Sequence, residues 1–277
     1  MSEPIAFLTG CGRSGTTILG QMIGVSPGVA YANDDFAIWI EPFPQCDAWG
    51  LRPDTVHMDN RIELTEEDLA GGDVPRFWSM VRARRGSARL LVEKVALNNF
   101  RLRFLAALAP EARMVNIVRH GVEVARSIAR RVEVGQWYGP SDRKWRLLER
   151  LAISRGLEHE LALCRDDVDR GLLEWRMSVE VAAEHTSAIG PGRVLQVRYE
   201  SLLEEPQAVA GRIAEHLQLP DGGRAMAAWA IGRLERKSPS SSDLPPPERA
   251  EAIAGQALRR LGYDPAGGLL AGPTLAP

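Results

Sequence analysis

A glycine-rich turn between a short apolar run and a helix-like segment constrains the fold of this chain more than any other feature. The apolar run covers residues 5–9, the turn reads GCGRSGTT over residues 10–17, and the helix-like segment follows over 18–23. A turn of this kind stacks backbone N–H groups at a helix N-terminus, where the helix dipole favours an anion. The sequence therefore predicts a strand, an anion-binding loop and a helix at the start of the chain.

The spacing of this turn matches the phosphate loop G-x-x-x-x-G-K-[ST] except at the lysine position, which holds Thr16. In ATPases and kinases that lysine contacts the β- and γ-phosphates, and the hydroxyl after it binds Mg²⁺. The turn keeps the glycines and lacks the lysine. This combination indicates an anion shorter than a triphosphate.

Short apolar runs alternate with helix-like segments along the rest of the chain. Strands are predicted over about 4–9, 29–32, 90–94, 114–119 and 194–199, and helices over about 16–25, 121–133, 142–165, 169–187, 206–217, 222–236 and 248–260. Residues 42–75 are rich in Pro, Asp, Gly and Trp, which favours loops and short helices over a pocket rather than core. The alternation predicts an α/β fold, in which a phosphate-loop-type parallel sheet is flanked by helices and helical insertions cover the substrate site.

The chain length of 277 residues suits one domain over 1–277, with a core at about 4–217 and helices after it. The run of serines and prolines at 238–247 is incompatible with a regular helix or strand. It predicts a flexible loop between the C-terminal helices.

Charge and cysteine content argue against several classes of protein. The 34 Lys plus Arg and 36 Asp plus Glu give a net charge of −2, which does not favour nucleic acid or an anionic membrane as a partner. Three cysteines, Cys11, Cys46 and Cys164, lack the spacing of a metal site and are expected to be reduced thiols. No apolar run approaches the roughly 18 residues that span a bilayer, and no leader precedes the glycine-rich turn. A cytoplasmic protein with no transmembrane segment and no metal site is expected, and its oligomeric state stays open.

Polar residues follow each of the five predicted strands. They are the glycine-rich turn, Asp34, Lys94, Arg119 and Tyr199. In open parallel sheets, ligands bind beyond the carboxyl ends of the strands. Five separate segments of the chain are therefore expected to converge on one edge of the sheet.

A second anion site is predicted around Arg119. Ser127 lies eight residues later, about two turns into the following helix, and Arg131 lies one further turn along the same face. Two arginines and a hydroxyl make a compact site for a phosphate monoester. Arg131 is also compatible with an ordinary position on the helix surface.

Three segments in this order resemble the sulfotransferases that use 3′-phosphoadenosine 5′-phosphosulfate (PAPS). They are the RSGTT loop at 13–17, the pair Arg119 and Ser127, and the YESL segment at 199–202. The loop is similar to the arginine form in the tyrosylprotein and carbohydrate branches of that family. The resemblance covers about residues 4–217, with a weaker match at Gly262 and Tyr263. It implies transfer of a sulfuryl group from PAPS to a hydroxyl of a small molecule, glycan or lipid, with PAP as the product.

The resemblance also implies roles for single residues. Asp34 would be the general base at a place where related enzymes carry glutamate, with Asp35 and Glu41 as fallbacks. Lys94 and Arg13 would be the catalytic cations, with Lys94 at the sulfuryl or bridging oxygen and Arg13 at the 5′-phosphate. A basic C-terminal loop would close over the nucleotide, which makes Lys237 and Ser238 further candidate contacts. The residues that would bind the nucleotide are Arg13, Ser14, Gly15, Thr16, Thr17, Arg119, Ser127, Arg131 and Tyr199.

Several residues have both a functional and a structural interpretation. His120 either contacts the nucleotide or is a polar residue at a strand end, and Trp175 in a long helix is expected in the core. Of the 34 basic residues only Lys94, Lys144 and Lys237 are lysines, a bias that codon usage largely explains, so the three positions are worth testing for a role. The aromatic residues that would line an acceptor pocket or pack in the core are Trp39, Trp49, Trp78, Trp137 and Tyr138.

Two alternatives to a sulfotransferase remain open from the sequence. One is a phosphate-loop kinase or ATP-binding protein, against which the missing loop lysine argues. The other is a nucleotide-binding module without activity, because an aspartate at position 34 reaches one methylene less far than a glutamate.

Overall fold

The computed structural model describes residues 3–55, 59–139, 142–234, 247–266 and 268–270. Within these residues, five strands form one parallel sheet in the order β2-β3-β1-β4-β5. The strands are β1 (Ile5–Thr9), β2 (Val29–Asn33), β3 (Leu90–Lys94), β4 (Arg113–Val118) and β5 (Val194–Arg198). Each strand end agrees with its predicted position to within one residue, and the predicted α/β class is confirmed.

Helices connect the strands and cover both faces of the sheet. The described α-helices are α1 (Thr16–Gly24), α2 (Ala37–Ile40), α3 (Val74–Arg85), α4 (Leu102–Leu108), α5 (Gly121–Val132), α6 (Arg143–Ser154), α7 (Glu158–Leu163), α8 (Asp167–Ile189), α9 (Tyr199–Glu204), α10 (Pro206–Leu217), α11 (Arg224–Ala230) and α12 (Pro247–Arg260). Short 3₁₀ turns lie at Pro44–Cys46, Pro53–Thr55, Glu66–Gly71, Ala96–Phe100 and Pro191–Arg193.

Alternate residues of the strands enter two separate apolar clusters. Ile5 and Phe7 of β1 belong to the larger cluster, while Ala6 and Leu8 belong to the smaller one on the opposite face. The larger cluster packs under α3, α4, α5, α6, α8 and α12, and the smaller one under α1 and α10. Because both faces are covered, the three central strands β3, β1 and β4 are mostly apolar and buried, as parallel strands with two covered faces are.

The prediction that residues 42–75 lie outside the core is wrong. Five side chains of this segment, at Phe43, Cys46, Ala48, Ile62 and Leu64, are buried in the larger cluster. The buried guanidinium of Arg101 donates hydrogen bonds to the backbone carbonyls of residues 46, 61 and 62, at 3.1–3.2 Å. These bonds satisfy backbone groups that lack helix or strand partners, so an irregular segment can pack inside the protein.

Two helix predictions need correction. The helix predicted over 142–165 is broken at Gly156, which adopts a φ of +69° and separates α6 from α7. The helix predicted over 222–236 is shorter, since α11 ends at Ala230 and Ile231 is extended. Most of the predicted loop at 238–247 lies outside the described residues, and α12 begins at its last residue, Pro247.

Candidate active site

The carboxyl edge of the sheet brings together residues from all five strand ends. The glycine-rich loop follows β1 at the centre of the sheet, Asp34 and Lys94 lie at the ends of β2 and β3, and Arg119 and Tyr199 follow β4 and β5. The strand order therefore divides the edge into a β2/β3 half and a β4/β5 half, with the loop between them.

The glycine-rich loop has the geometry of an anion cradle. Helix α1 begins at Thr16 with no side-chain cap, so its first N–H groups point toward the edge of the sheet without a capping partner. The hydroxyl Oγ of Ser14 is buried and has no hydrogen-bond partner among the described residues. An anionic oxygen bound at the helix N-terminus would give this hydroxyl a hydrogen-bond partner.

In the β2/β3 half, Lys94 joins the loop to Asp34. Its ammonium Nζ is buried and donates to Asp34 Oδ2 at 2.6 Å and to Thr17 Oγ1 at 3.2 Å. Asp34 adopts a left-handed backbone conformation, with φ of +49°, and its backbone N–H donates to the Lys94 carbonyl at 2.8 Å. A cation from a neighbouring strand thus reaches the loop, where an NTPase would use a lysine of the loop itself.

The two fallback carboxylates face helix α3 instead of the loop. Asp35 forms a two-pronged ion pair with Arg84, and Glu41 pairs with Arg76 at 2.6 Å. Both arginines lie on α3. Of the three carboxylates considered from the sequence, Asp34 is the one that contacts Lys94.

In the β4/β5 half, arginines gather around Ser127. Arg13 donates from Nε to Ser127 Oγ at 3.0 Å, and Arg119 donates to the Arg13 carbonyl at 3.4 Å. Desolvation, followed by the charges of Arg131, Arg119 and Arg130, lowers the pKa of the Arg13 guanidinium. The structure thus brings Arg13, Arg119, Ser127 and Arg131 into one cationic cluster, with the Arg13 side chain turned toward Ser127.

Tyr199 links this cluster to the loop. The guanidinium of Arg119 lies 4.5 Å from the centre of the Tyr199 ring, a distance suited to a cation–π contact. The ring also packs on Gly15, where an added Cβ would come within 2.5 Å of Tyr199 Cδ2. Gly15 also has φ of +98°, so this position favours glycine for two independent reasons.

A cavity of about 320 Å³ opens beside Lys94 and Asp34. Its wall includes the loop residues Gly12, Arg13, Thr16 and Thr17. Apolar and aromatic side chains form much of the remainder: Phe36, Trp49, Leu51, Ala96, Leu97, Phe100 and Trp137. The polar residues on that remainder are Gln136, Lys144 and Glu174.

Sequence reasoning did not identify the pair Lys144 and Glu174. The Lys144 ammonium donates to Glu174 Oε1 at 2.6 Å, and both side chains are almost fully buried at the cavity. The scarcity of lysine was the available signal, because two of the three lysines prove to be buried in this cavity. Glu174 lies within a long helix, and no local pattern distinguishes it from a surface residue.

The predicted aromatic pocket is only partly present. Trp49 and Trp137 line the cavity, whereas Trp39 is buried and donates to Glu93 at 2.7 Å. Trp78 lines a different cavity, beside the amino-terminal ends of β1 and β3. Tyr138 is buried next to Trp145.

His120 has a structural role at the start of α5. Its Nδ1 accepts from the Val122 N–H at 3.2 Å, and its Nε2 donates to the Asp264 carbonyl at 2.9 Å. Glu200 accepts the His120 backbone N–H and the Tyr263 hydroxyl at 3.1 and 2.9 Å. The segment around Tyr263 is thereby held against the residues next to Arg119.

The remaining sequence predictions concern Trp175, the cysteines, Lys237 and Ser238. Trp175 is buried as expected and donates to the Arg119 carbonyl at 3.0 Å. Burial raises the thiol pKa of both Cys11 and Cys46. Lys237 and Ser238 lie outside the described residues. Among the described residues, no cluster of His, Cys, Asp or Glu is arranged to bind a metal, and no helix has the length and apolarity to cross a bilayer.

Comparison with a family model gives a match over most of the chain. The model described as the sulfotransferase family matches residues 4–222. A comparison with curated protein sequences gave no match.

Solved sulfotransferase structures share this fold. Sulfotransferase STF9 from Mycobacterium avium is 15% identical, with 97% of this chain and 79% of that chain covered and a TM-score of 0.56. The sulfotransferase from Alicyclobacillus acidocaldarius is also 15% identical, with 94% and 95% covered and a TM-score of 0.53. The sulfotransferase domain from the curacin biosynthetic pathway is 16% identical, with 95% and 98% covered and a TM-score of 0.51. At these identities the likeness concerns the fold.

Proposed function

This chain belongs to the sulfotransferase family, and from that premise we propose that it transfers a sulfuryl group from PAPS to the hydroxyl of a small molecule, glycan or lipid. The observation that carries the proposal is Lys94. Its buried ammonium meets both the loop hydroxyl of Thr17 and the carboxylate of Asp34. A cation, an anion cradle and a carboxylate base are thus available at one point.

The residues present fit a nucleotide that is charged at both ends. The uncapped start of α1 and the buried Ser14 hydroxyl suit the 5′-phosphosulfate. The cluster of Arg13, Arg119 and Ser127 suits the 3′-phosphate, since arginine forks match phosphate geometry. In this proposal Arg13 therefore serves the 3′-phosphate rather than the 5′-phosphate expected from the sequence, because its side chain is turned toward Ser127. The ring of Tyr199 lies between these two regions, where it would contact the adenosine.

When bound, PAPS supplies the sulfuryl group and a phosphate leaving group. Asp34 takes the proton of the acceptor hydroxyl at Oδ2, the oxygen that now faces Lys94. Two of the three N–H groups of the Lys94 ammonium meet Asp34 and Thr17, which leaves one for an oxygen of the donor. Placed in this way, Lys94 and Asp34 would stabilise the charge that develops during an in-line displacement without requiring a metal ion.

Family membership favours sulfuryl transfer over the kinase alternative. The loop agrees with this preference, because Thr16 occupies the position of the NTPase lysine. ATP–Mg²⁺ therefore serves as the competing ligand in the test. Binding of PAP without sulfuryl transfer to any acceptor would indicate the inactive nucleotide-binding module.

The test is a thermal-shift panel followed by a transfer assay. We expect PAP to raise the Tm, while 5′-AMP and ATP–Mg²⁺ raise it less, and labelled PAPS to transfer its label to at least one acceptor. A larger shift with ATP–Mg²⁺ together with ATP turnover would contradict the proposal. Binding of PAP with no transfer to any acceptor would reduce the protein to a nucleotide-binding module.

A further inference from the structure

The cavity beside Lys94 contains a second buried ion pair that the proposed chemistry does not use. Lys144 donates to Glu174 Oε1 at 2.6 Å, and the two side chains are 2% and 3% exposed. Breaking such a pair leaves an uncompensated buried charge, which is costly. A buried ion pair that lines a substrate cavity therefore fixes the charge that the cavity presents.

Glu174 also holds Trp137, one of the two tryptophans that line the cavity. Its Oε2 accepts the Trp137 indole N–H at 2.9 Å, and the Lys144 ammonium lies 4.2 Å from the centre of the Trp137 ring. Trp49 donates its own indole N–H to the Trp137 carbonyl at 3.0 Å. Trp137 is thus fixed at its ring nitrogen, at its ring face and at its backbone.

The fixed Trp137 ring packs directly on the glycine-rich loop. A Cβ added at Gly12 would come within 2.3 Å of Trp137 Cη2. The ring therefore contacts the loop and also lines the cavity. An acceptor in the cavity would contact this ring while its hydroxyl approaches the loop.

The charges on the cavity wall cancel outside the loop. Lys94 is matched by Asp34 and Lys144 by Glu174, each pair at 2.6 Å. The remaining charged side chain of the wall, Arg13, is turned toward Ser127. An acceptor that carries its own charge would lose its hydration without gaining an unmatched partner, which is unfavourable.

Resting on the proposed function, we propose that the acceptor is an uncharged alcohol or phenol with an apolar body, selected by Trp137 and by the Lys144–Glu174 pair. The aromatic and aliphatic side chains of the wall pack against the apolar body. The two matched ion pairs exclude carboxylate-bearing analogues. Gln136 is the one uncharged polar side chain among the lining residues outside the loop, too few for the many hydroxyls of a sugar.

The experiment compares matched acceptors with labelled PAPS and the full chain. The probes are a panel of naphthols and linear alcohols, the corresponding hydroxynaphthoates and hydroxy acids, and neutral sugars. We expect kcat/KM for each neutral apolar alcohol to exceed that of its carboxylate partner at least about tenfold, the cost of desolvating an unmatched charge. Sugars should be poorer acceptors than the apolar alcohols.

Two variants connect this preference to the named residues. Glu174→Gln leaves the Lys144 charge unmatched, so the disadvantage of the carboxylate probes should shrink about tenfold or more, as an ion pair across a desolvated site would give. Trp137→Phe keeps a ring and loses the bond to Glu174, and should raise KM for the apolar alcohols with PAP affinity retained. Trp78→Phe makes the same substitution in the cavity beside the amino-terminal ends of β1 and β3. It should leave both KM for the apolar alcohols and PAP affinity unchanged.

Equal or better transfer by the parent protein to the carboxylate probes or to the sugars would overturn the acceptor assignment. The assignment would also fail if the protein binds PAP and transfers the label to another probe but to none of the apolar alcohols. An unchanged KM for the apolar alcohols in Trp137→Phe would also overturn it. This variant retains the buried ion pair, so the test remains available if Glu174→Gln does not fold. Absence of a PAP-induced thermal shift would instead contradict the proposed function, so the two failures are distinguishable.

Discussion

The two halves of the candidate active-site edge differ in whether their cationic side chains are paired with carboxylates. On the β2/β3 side, Lys94 and Lys144 each meet a carboxylate at 2.6 Å. On the β4/β5 side, the charges of Arg131, Arg119 and Arg130 act on Arg13, and Arg119 pairs with Glu123 at a longer distance, 3.5 Å. A single sheet edge thus combines a charge-balanced cavity with a cationic cluster, and the proposed reaction site and the proposed 3′-phosphate site fall on these two different parts.

The largest loss of transfer rate is expected from neutralising Asp34, which removes the charge that matches Lys94. Asp34→Asn removes the proposed base while leaving its size unchanged, and should lower the rate of transfer about 10²–10⁴-fold, the usual range for general-base catalysis. PAP affinity should change little, because Asp34 contacts Lys94 rather than the arginines. Single-turnover transfer and PAP titration measure the two quantities.

Asp35→Asn is the matched control for this variant. Asp35 pairs with Arg84 on α3, and a partly exposed pair of this kind contributes little to stability. Its rate should stay near that of the parent protein. A slow Asp35→Asn protein beside an active Asp34→Asn protein would transfer the proposed role from one carboxylate to the other.

A smaller loss of rate is expected from removing the other member of the pair. Lys94→Ala eliminates the ammonium that faces the loop, and should lower kcat about 10²–10³-fold, as the loss of one preorganised donor does. PAP should still bind, since the arginine cluster is untouched. Near-normal turnover would show that Lys94 has a structural role only.

On the cationic side, Arg119→Ala should weaken binding rather than chemistry. Loss of a charged hydrogen-bonding group costs about 1.5–3 kcal/mol, so PAP affinity should fall about tenfold to 100-fold. Affinity for 5′-AMP, which lacks the 3′-phosphate, should fall less, and calorimetric titration of both nucleotides measures the difference. An equal loss for both would contradict the 3′-phosphate assignment.

The smallest expected effect concerns Glu93, the neighbour of Lys94 on β3. Burial raises the pKa of this carboxyl to about 8, and Trp39 and Asn98 donate hydrogen bonds to it. Between pH 5 and 8 the folded protein therefore retains a proton that the unfolded chain has released, so stability falls as the pH rises. Glu93→Gln stays neutral throughout and should show a flatter dependence of Tm on pH, by a few degrees across this window. Parallel curves for the two proteins would mean that Glu93 is ionised in the folded state.

The sequence predicted one half of this comparison better than the other. Arg119 and Ser127 lie on one strand–helix unit, so their spacing could be read directly, and the loop glycines follow a known pattern. Lys144 and Glu174 lie on different helices, α6 and α8, and meet only after the chain has folded. The core position of residues 42–75 was equally hidden, because it depends on Arg101, the residue just before α4, reaching their carbonyls.

The contact between Gly15 and Tyr199 has a consequence for how this sequence can change. The ring occupies the volume that any side chain at position 15 would need. The two positions are far apart in the chain but share one space, so their substitutions are not independent. A residue larger than glycine at position 15 would require a smaller residue at position 199. That second substitution would also remove the aromatic ring that Arg119 contacts.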